Sequence, residues 1–166
     1  MPIPDVDPTA PSLPRRLGVA LVRTRPGKWL LREVSPRLDP PLLRLTRGRL
    51  SSTLVTPGLL LTTTGAKSGL ERVTPLTYFT DGGRVILMAS NYGGTRHPGW
   101  YHNIKANPEV TATAGGYHGR FTAEEVTGPE RDRLWSLAKQ FVASYGDYEL
   151  TSGDRTIPIV ALTPVA

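Results

Sequence analysis

The chain of 166 residues contains no cysteine. Disulfides, thiolate nucleophiles and iron–sulfur or cysteine-zinc centres are therefore excluded, and the redox compartment is left undetermined. No apolar run approaches the roughly 20 residues that a membrane-spanning helix needs. The first residues carry proline and aspartate where a secretory signal would carry a basic start and an apolar core. Histidine is scarce: His97, His102 and His118 are the three, and their spacing does not suit a metal site. A Walker-type phosphate loop is missing too. Ala66 separates Gly65 from Lys67, and the upstream glycine of Gly-x4-Gly-Lys-Ser is absent, which disfavours a nucleotide triphosphatase. No internal repeat is visible. These absences point to a soluble intracellular protein, cytoplasmic by default, with no metal and no nucleophilic triad.

What remains is enough for one domain with a real core, since a chain of this size buries about two-thirds of its unfolded surface. A charged fraction of 20% is ordinary for a globular protein. The net charge of +6 is unevenly spread: Arg15 to Arg49 holds ten basic residues against only Glu33 and Asp39. The rest of the chain is nearly balanced. Such an arm suits nucleic acid, anionic lipid or the acidic tail of a cofactor, and it equally suits a solvated face.

Three regions follow. Residues 1–12, with Pro2, Pro4, Pro8 and Pro11, form a disordered or extended leader. Residues 13–50 form a basic helical arm, with Leu13, Leu17, Ala20 and Leu21 at helical spacing. That arm packs on the domain or lies on a membrane surface. Residues 51–166 form a mainly β or α+β domain. Strands are expected over 59–64, 73–80, 84–90, 109–114, 117–126 and 155–162, with turns at Asp81-Gly82-Gly83 and Gly115-Gly116. Pro98 starts a short helix ending at Asn107-Pro108, as proline is tolerated in a first turn. Thr127 and Glu130 read as a capping box for a helix carrying Leu134, Ala138, Phe141, Tyr145 and Tyr148 on one face. Hairpin-connected strands with few helices suggest an antiparallel barrel or an α+β domain.

Three clusters carry chemistry. Lys67 and Ser68 lie in a glycine-bounded turn, where a lysine, a hydroxyl and exposed peptide N–H groups suit phosphate oxygens; Arg72 follows at the next strand's start. In Met88-Ala89-Ser90-Asn91, small side chains at a strand end admit a flat ring against the backbone. The Ser90 hydroxyl would polarise its reactive edge. In Gly99-Trp100-Tyr101-His102-Asn103, a helix start favours an anion, while Trp100 suits core as well as cofactor.

From Leu59 to Pro164 the order and spacing of these clusters, with the run His97-Pro98-Gly99-Trp100-Tyr101-His102-Asn103-Ile104-Lys105-Ala106-Asn107-Pro108, resemble the deazaflavin-dependent nitroreductase family. That resemblance implies a split β-barrel shared with flavin-mononucleotide-binding oxidoreductases, bound coenzyme F420, and hydride transfer to a quinone, enone or nitro compound. It assigns Ala66, Lys67, Ser68, Arg72, Val73, Thr74 and Pro75 to the phosphate and side-chain end of the cofactor. It places Met88, Ala89, Ser90, Asn91, Gly99, Trp100, Tyr101, His102 and Asn103 around its ring and linker. Tyr145, near cofactor and acceptor, Tyr148 and Ser90 become the catalytic candidates. Ala66 stands where a basic residue is common, Asn91 where lysine is frequent and Val142 where the nitroimidazole-reducing member has a tyrosine, so nitroimidazole activation is not implied. The alternatives are a flavin-mononucleotide oxidoreductase on the same barrel and a non-catalytic cofactor-binding protein. A small-molecule acceptor is the expected partner, with no specific nucleic acid, and the oligomeric state stays open.

Overall fold

A computed structural model describes residues 3–10 and 57–165; the basic arm of residues 13–50 lies outside them. The described chain builds six strands: β1 (Gly58–Thr64), β2 (Glu71–Asp81), β3 (Arg84–Met88), β4 (Glu109–Ala114), β5 (Tyr117–Val126) and β6 (Ile159–Pro164). Three α-helices accompany them: α1 (Gly99–Ala106), α2 (Gly128–Phe141) and α3 (Ser144–Thr151). The strands close in the order β1-β2-β3-β6-β5-β4, antiparallel throughout, which is a split-barrel arrangement.

Sequence pattern explains the closure. On β4 and β5 buried and exposed residues alternate, so one face fills the barrel and the other meets water. In β3, by contrast, Val85 to Met88 are all buried, as are Ile159 to Leu162 of β6. Both faces of these two paired strands are covered. Leu134, Ala138 and Phe141 of α2 are buried with them, and Phe141 meets Phe79 of β2 edge-on at 5.6 Å. The β2–β3 turn places positive φ on both Gly82 and Gly83, the tight hairpin geometry that glycine pairs favour.

Residues 3–10 lie beside the end of β2. β1 begins at Gly58, opposite Thr77, and the Tyr78 N–H donates to the Pro57 carbonyl at 3.3 Å, so among the described residues β1 does not flank the last residues of β2. The leader fills the gap: the Thr80 N–H donates to the Val6 carbonyl at 3.0 Å, and the Val6 N–H to Thr80 Oγ1 at 2.8 Å. Tyr78 Oη donates to the Pro4 carbonyl at 3.1 Å, and Val6 and Pro8 are buried.

Four local expectations need correction. The single long helix is two helices, broken where Val142 adopts extended backbone (φ −132°, ψ 101°). Thr127 is the N-cap of α2 but its side chain makes no capping bond, and Glu130 pairs with Arg84 rather than reaching back. β3 stops at Met88, since the Ala89 and Ser90 carbonyls turn toward Arg155. β6 begins at Ile159 rather than 155, since Arg155 serves that contact and Pro158 accepts the Ala89 N–H.

Candidate active site

The β1–β2 connection is a closed turn. The Gly65 N–H donates to the Leu70 carbonyl and the Gly69 N–H to the Gly65 carbonyl, both at 2.8 Å, while Ser68 Oγ accepts the Leu70 N–H at 3.3 Å. A Cβ on Gly65 would sit 2.7 Å from Ser68 Oγ and 3.1 Å from the Leu70 carbonyl oxygen, so a larger residue there would push Ser68 aside and crowd the turn. Ala66, Lys67, Ser68 and Arg72 are exposed, and neither cation makes an ion pair among the described residues. Val73, Thr74 and Pro75 are half-buried on β2, paired with β1.

Asn103, on α1, ties this turn to the helix. Its Oδ1 accepts the Ala66 N–H and its Nδ2 donates to Thr63 Oγ1, both at 3.0 Å. Thr63 is only 2% exposed. The carboxamide of Asn103 is thus committed to shaping the turn. Elsewhere on α1, Trp100 and Tyr101 are buried with the barrel core. Tyr101 Oη donates to Glu125 at 2.8 Å, and burial, reinforced by that carboxylate, pushes its phenol up to about 12. Gly99 and His102 are exposed, so the helix offers those two and its backbone to a ligand, with the indole and phenol turned inward.

The segment after β3 is unusual. Asn91 (φ 48°), Tyr92 (φ 53°) and Gly93 (φ 75°) follow one another in the left-handed region, where two non-glycine residues in sequence store strain. Asn91 Nδ2 donates to the Arg96 carbonyl at 3.0 Å. A second anchor, not found in the sequence reading, is Arg155. Its guanidinium donates to the carbonyls of Ala89 (3.0 Å), Ser90 (2.8 Å) and Gly94 (2.7 and 3.1 Å) and lies 3.2 Å from His97 Nδ1. Nothing in the local sequence separates this arginine from the chain's many surface ones. The trans peptides here turn the N–H groups of Ser90 and Asn91 away from the guanidinium. Neither N–H, nor the Ser90 hydroxyl, finds a partner among the described residues.

Tyr145 and Tyr148 project from α3, their rings 6.0 Å apart. Tyr145 is 7% exposed and Tyr148 half-buried. Burial, helped by Tyr148 and Tyr92, raises the Tyr145 phenol well above 10, so it stays protonated and able to donate. α3 packs directly on the strained segment: a Cβ on Gly93 would collide with Thr151 Oγ1 and come within 3.1 Å of Tyr148 Cα. The sequence-predicted clusters are therefore linked in series, from the Lys67 turn through Asn103 to α1, through His97 and Arg155 to Ser90, and through Gly93 to the tyrosines. A separate cavity of about 290 Å³ lies behind Arg155, lined by Arg131, Trp135, Glu149 and the 153–157 loop. None of the sequence-predicted site residues lines it. Among the described residues no group of three metal-ligating side chains occurs, and no helix is long and apolar enough to cross a membrane.

A family model described as F420H(2)-dependent quinone reductase matches residues 36–164. The chain belongs to that family. It is 40% identical over 145 residues to the F420H(2)-dependent quinone reductase Rv1261c of Mycobacterium tuberculosis (strain ATCC 25618 / H37Rv), covering 82% of this chain and 97% of that protein. A solved F420-H2 dependent reductase (FDR-A) is 40% identical and superimposes with a TM-score of 0.59, covering 64% of this chain and 93% of the other. The heme storage protein HutZ of Vibrio cholerae, at 15% identity and TM-score 0.51 over 78% of this chain and 92% of that one, shares the fold alone.

Coenzyme F420 pairs a flat tricyclic ring with a phosphorylated, acidic tail. The residues present in this family member fit both ends. Lys67 and Arg72, exposed and without ion pairs among the described residues, stand beside the Ser68 turn, and the Ser90 and Asn91 N–H groups, without partners among the described residues, suit ring carbonyl oxygens. The Ala66 N–H is not available, being held by Asn103.

Proposed function

We propose that this chain is a hydride-transferring reductase that uses reduced F420 to reduce a quinone, with related enones or nitro compounds as further acceptors. Its membership of the F420H(2)-dependent quinone reductases over residues 36–164 carries the reading. Lys67 and Arg72, exposed at the first turn and without an ion pair among the described residues, support it.

Reduced F420, when bound, supplies a hydride: two electrons and a proton in one transfer. The protein's part is to bind, orient and stabilise charge. Lys67 and Arg72 hold the acidic tail through charge-assisted hydrogen bonds. Ser90 and Asn91 offer peptide N–H groups to the ring. As hydride reaches a quinone, negative charge develops on its oxygen. Tyr145, Tyr148 or the Ser90 hydroxyl donates a hydrogen bond to that oxygen, the electrostatic stabilisation that most lowers such barriers. A proton from a tyrosine or water completes the hydroquinone, and solvent restores the donor.

The test is acceptor-dependent oxidation of F420H(2) by purified protein, followed as recovery of oxidised deazaflavin absorbance with a water-soluble naphthoquinone. Turnover that saturates in both reactants supports the reading. Binding of F420 without turnover on any quinone, enone or nitro compound favours a carrier, and activity with reduced flavin mononucleotide alone favours the flavin reading.

A further inference from the structure

Arg155 lies far in sequence from the residues between Ala66 and Asn103 assigned to the cofactor, and its surroundings are specific. A guanidinium has five N–H donors. Here they meet five acceptor contacts: the Ala89 and Ser90 carbonyls once each, the Gly94 carbonyl twice, and His97 Nδ1. No carboxylate pairs with it among the described residues. Its backbone is fixed in turn by Ser152, 2% exposed, whose hydroxyl lies 3.0 Å from the Arg155 carbonyl. A cation removed from bulk water without a counterion costs free energy, and surface arginines avoid that by staying solvated. This one spends its whole donor set on one strained turn and the adjacent His97.

We infer that Arg155 is a positioning residue of the reductase site: it clamps the Ala89–Gly94 turn so that the Ser90 and Asn91 N–H groups face the deazaflavin ring, and it fixes the neighbouring His97 as a neutral imidazole. The inference rests on the F420 reading above. The first half follows from the peptide geometry. With the Ala89 and Ser90 carbonyls drawn onto the guanidinium, the opposite edges of those two peptides carry their N–H groups outward. The Ser90 carbonyl also accepts the Gly93 N–H at 3.0 Å, but among the described residues only Arg155 accounts for holding the Ala89 carbonyl and for tying both carbonyls together, and without it the positive φ of Asn91 and Tyr92 favours relaxation. The second half follows from hydrogen-bond chemistry. Arginine can only donate, so Nδ1 of His97 must accept, which places the imidazole proton on Nε2. His97 immediately precedes Pro98 and α1, so the clamp also joins the ring-edge turn to the helix that carries Asn103.

The clamp is distinct from a simple charge. Lysine at this position keeps the cation but cannot span three carbonyls and an imidazole. The test therefore uses Arg155→Lys and Arg155→Ala, with three readouts. In the ligand-free wild type, long-range 15N–1H spectra should show His97 as the Nε2–H tautomer at pH 7. In both variants the dissociation constant for oxidised F420, measured by fluorescence, should rise roughly tenfold or more, the ratio expected for losing a charge-assisted hydrogen bond, with kcat falling as well. Millimolar guanidinium should restore Arg155→Ala toward wild type. Variants that melt earlier yet bind F420 and turn over within about twofold of wild type would reduce Arg155 to a structural tie and overturn the inference. So would His97 protonated, or in the Nδ1–H form, in the wild-type protein, an observation that needs no variant to fold. Failure of wild type to bind F420 would instead sink the functional reading, leaving the His97 spectrum to decide on the clamp itself.

Discussion

Asn103 and Ala66 are 37 residues apart in sequence and joined by one hydrogen bond of 3.0 Å, from the Ala66 N–H to the Asn103 carboxamide oxygen. The same carboxamide donates to the buried Thr63 hydroxyl. The turn bearing Lys67 is therefore set by a helix on the far side of the site. Replacing Asn103 with alanine should cost about 1 kcal/mol of stability, read as a lowered denaturant midpoint. It should also weaken F420 binding roughly fivefold or more through the displaced turn.

Tyr145 and Tyr148 carry the acceptor chemistry. The Tyr145→Phe, Tyr148→Phe double variant should retain F420 affinity and lose on the order of 10²-fold in kcat, the usual scale for one positioned acid or hydrogen-bond donor. Because burial holds the Tyr145 phenol above its ordinary 10, turnover should show no loss from tyrosine ionisation as pH rises to about 9. Full turnover by the double variant across several quinones would remove both residues from the mechanism.

The left-handed Gly93 is where α3 touches the strained turn. Alanine there meets two obstacles, a φ of 75° and the Thr151 and Tyr148 atoms against which its Cβ would press. Gly93→Ala should destabilise by at least ~1 kcal/mol, lower kcat through the shifted tyrosines and raise the KM for F420H(2) through the disturbed Ser90–Asn91 turn. Wild-type kcat and KM in this variant would contradict that placement.

His97 makes stability depend on pH in a predictable direction. Burial first, then the charges of Arg155 and His102, hold it below its ordinary 6.5, with Glu125 opposing. The folded state thus prefers the neutral ring. Its contribution is complete above 6.5 and is lost as pH falls through 6.5 toward the lower folded value. Urea midpoints should decline over that window for wild type and stay flatter for His97→Gln.

Much of this molecule was legible in the sequence, and the losses have causes. β4 and β5 could be bounded to the residue because alternation and the Gly115-Gly116 turn act locally. The barrel itself was reached through family likeness, since β1 pairing with β4 and β3 with β6 leaves no local trace. The break at Val142 carries no glycine or proline to announce it; a valine in extended backbone is ordinary in a strand and unmarked in a helical stripe. Asn103 was visible as a site residue, but not that its carboxamide is spent on Ala66 and Thr63. Arg155 was invisible because its partners are backbone carbonyls, which every residue possesses. The leader's pairing with Thr80 depends on where β1 happens to begin.

The central claim is that the turn from Gly65 to Arg72 grips the acidic end of F420. The most direct measurement is equilibrium titration of the full chain with oxidised F420, alongside flavin mononucleotide, for wild type, Lys67→Ala and Arg72→Ala at two salt concentrations. The account predicts saturable F420 binding, little affinity for the flavin, and a loss of roughly 10- to 150-fold per cation removed, shrinking toward the lower figure at high salt, with melting temperatures unchanged. F420 binding that is indifferent to both substitutions, or absent from the wild-type protein, would contradict it.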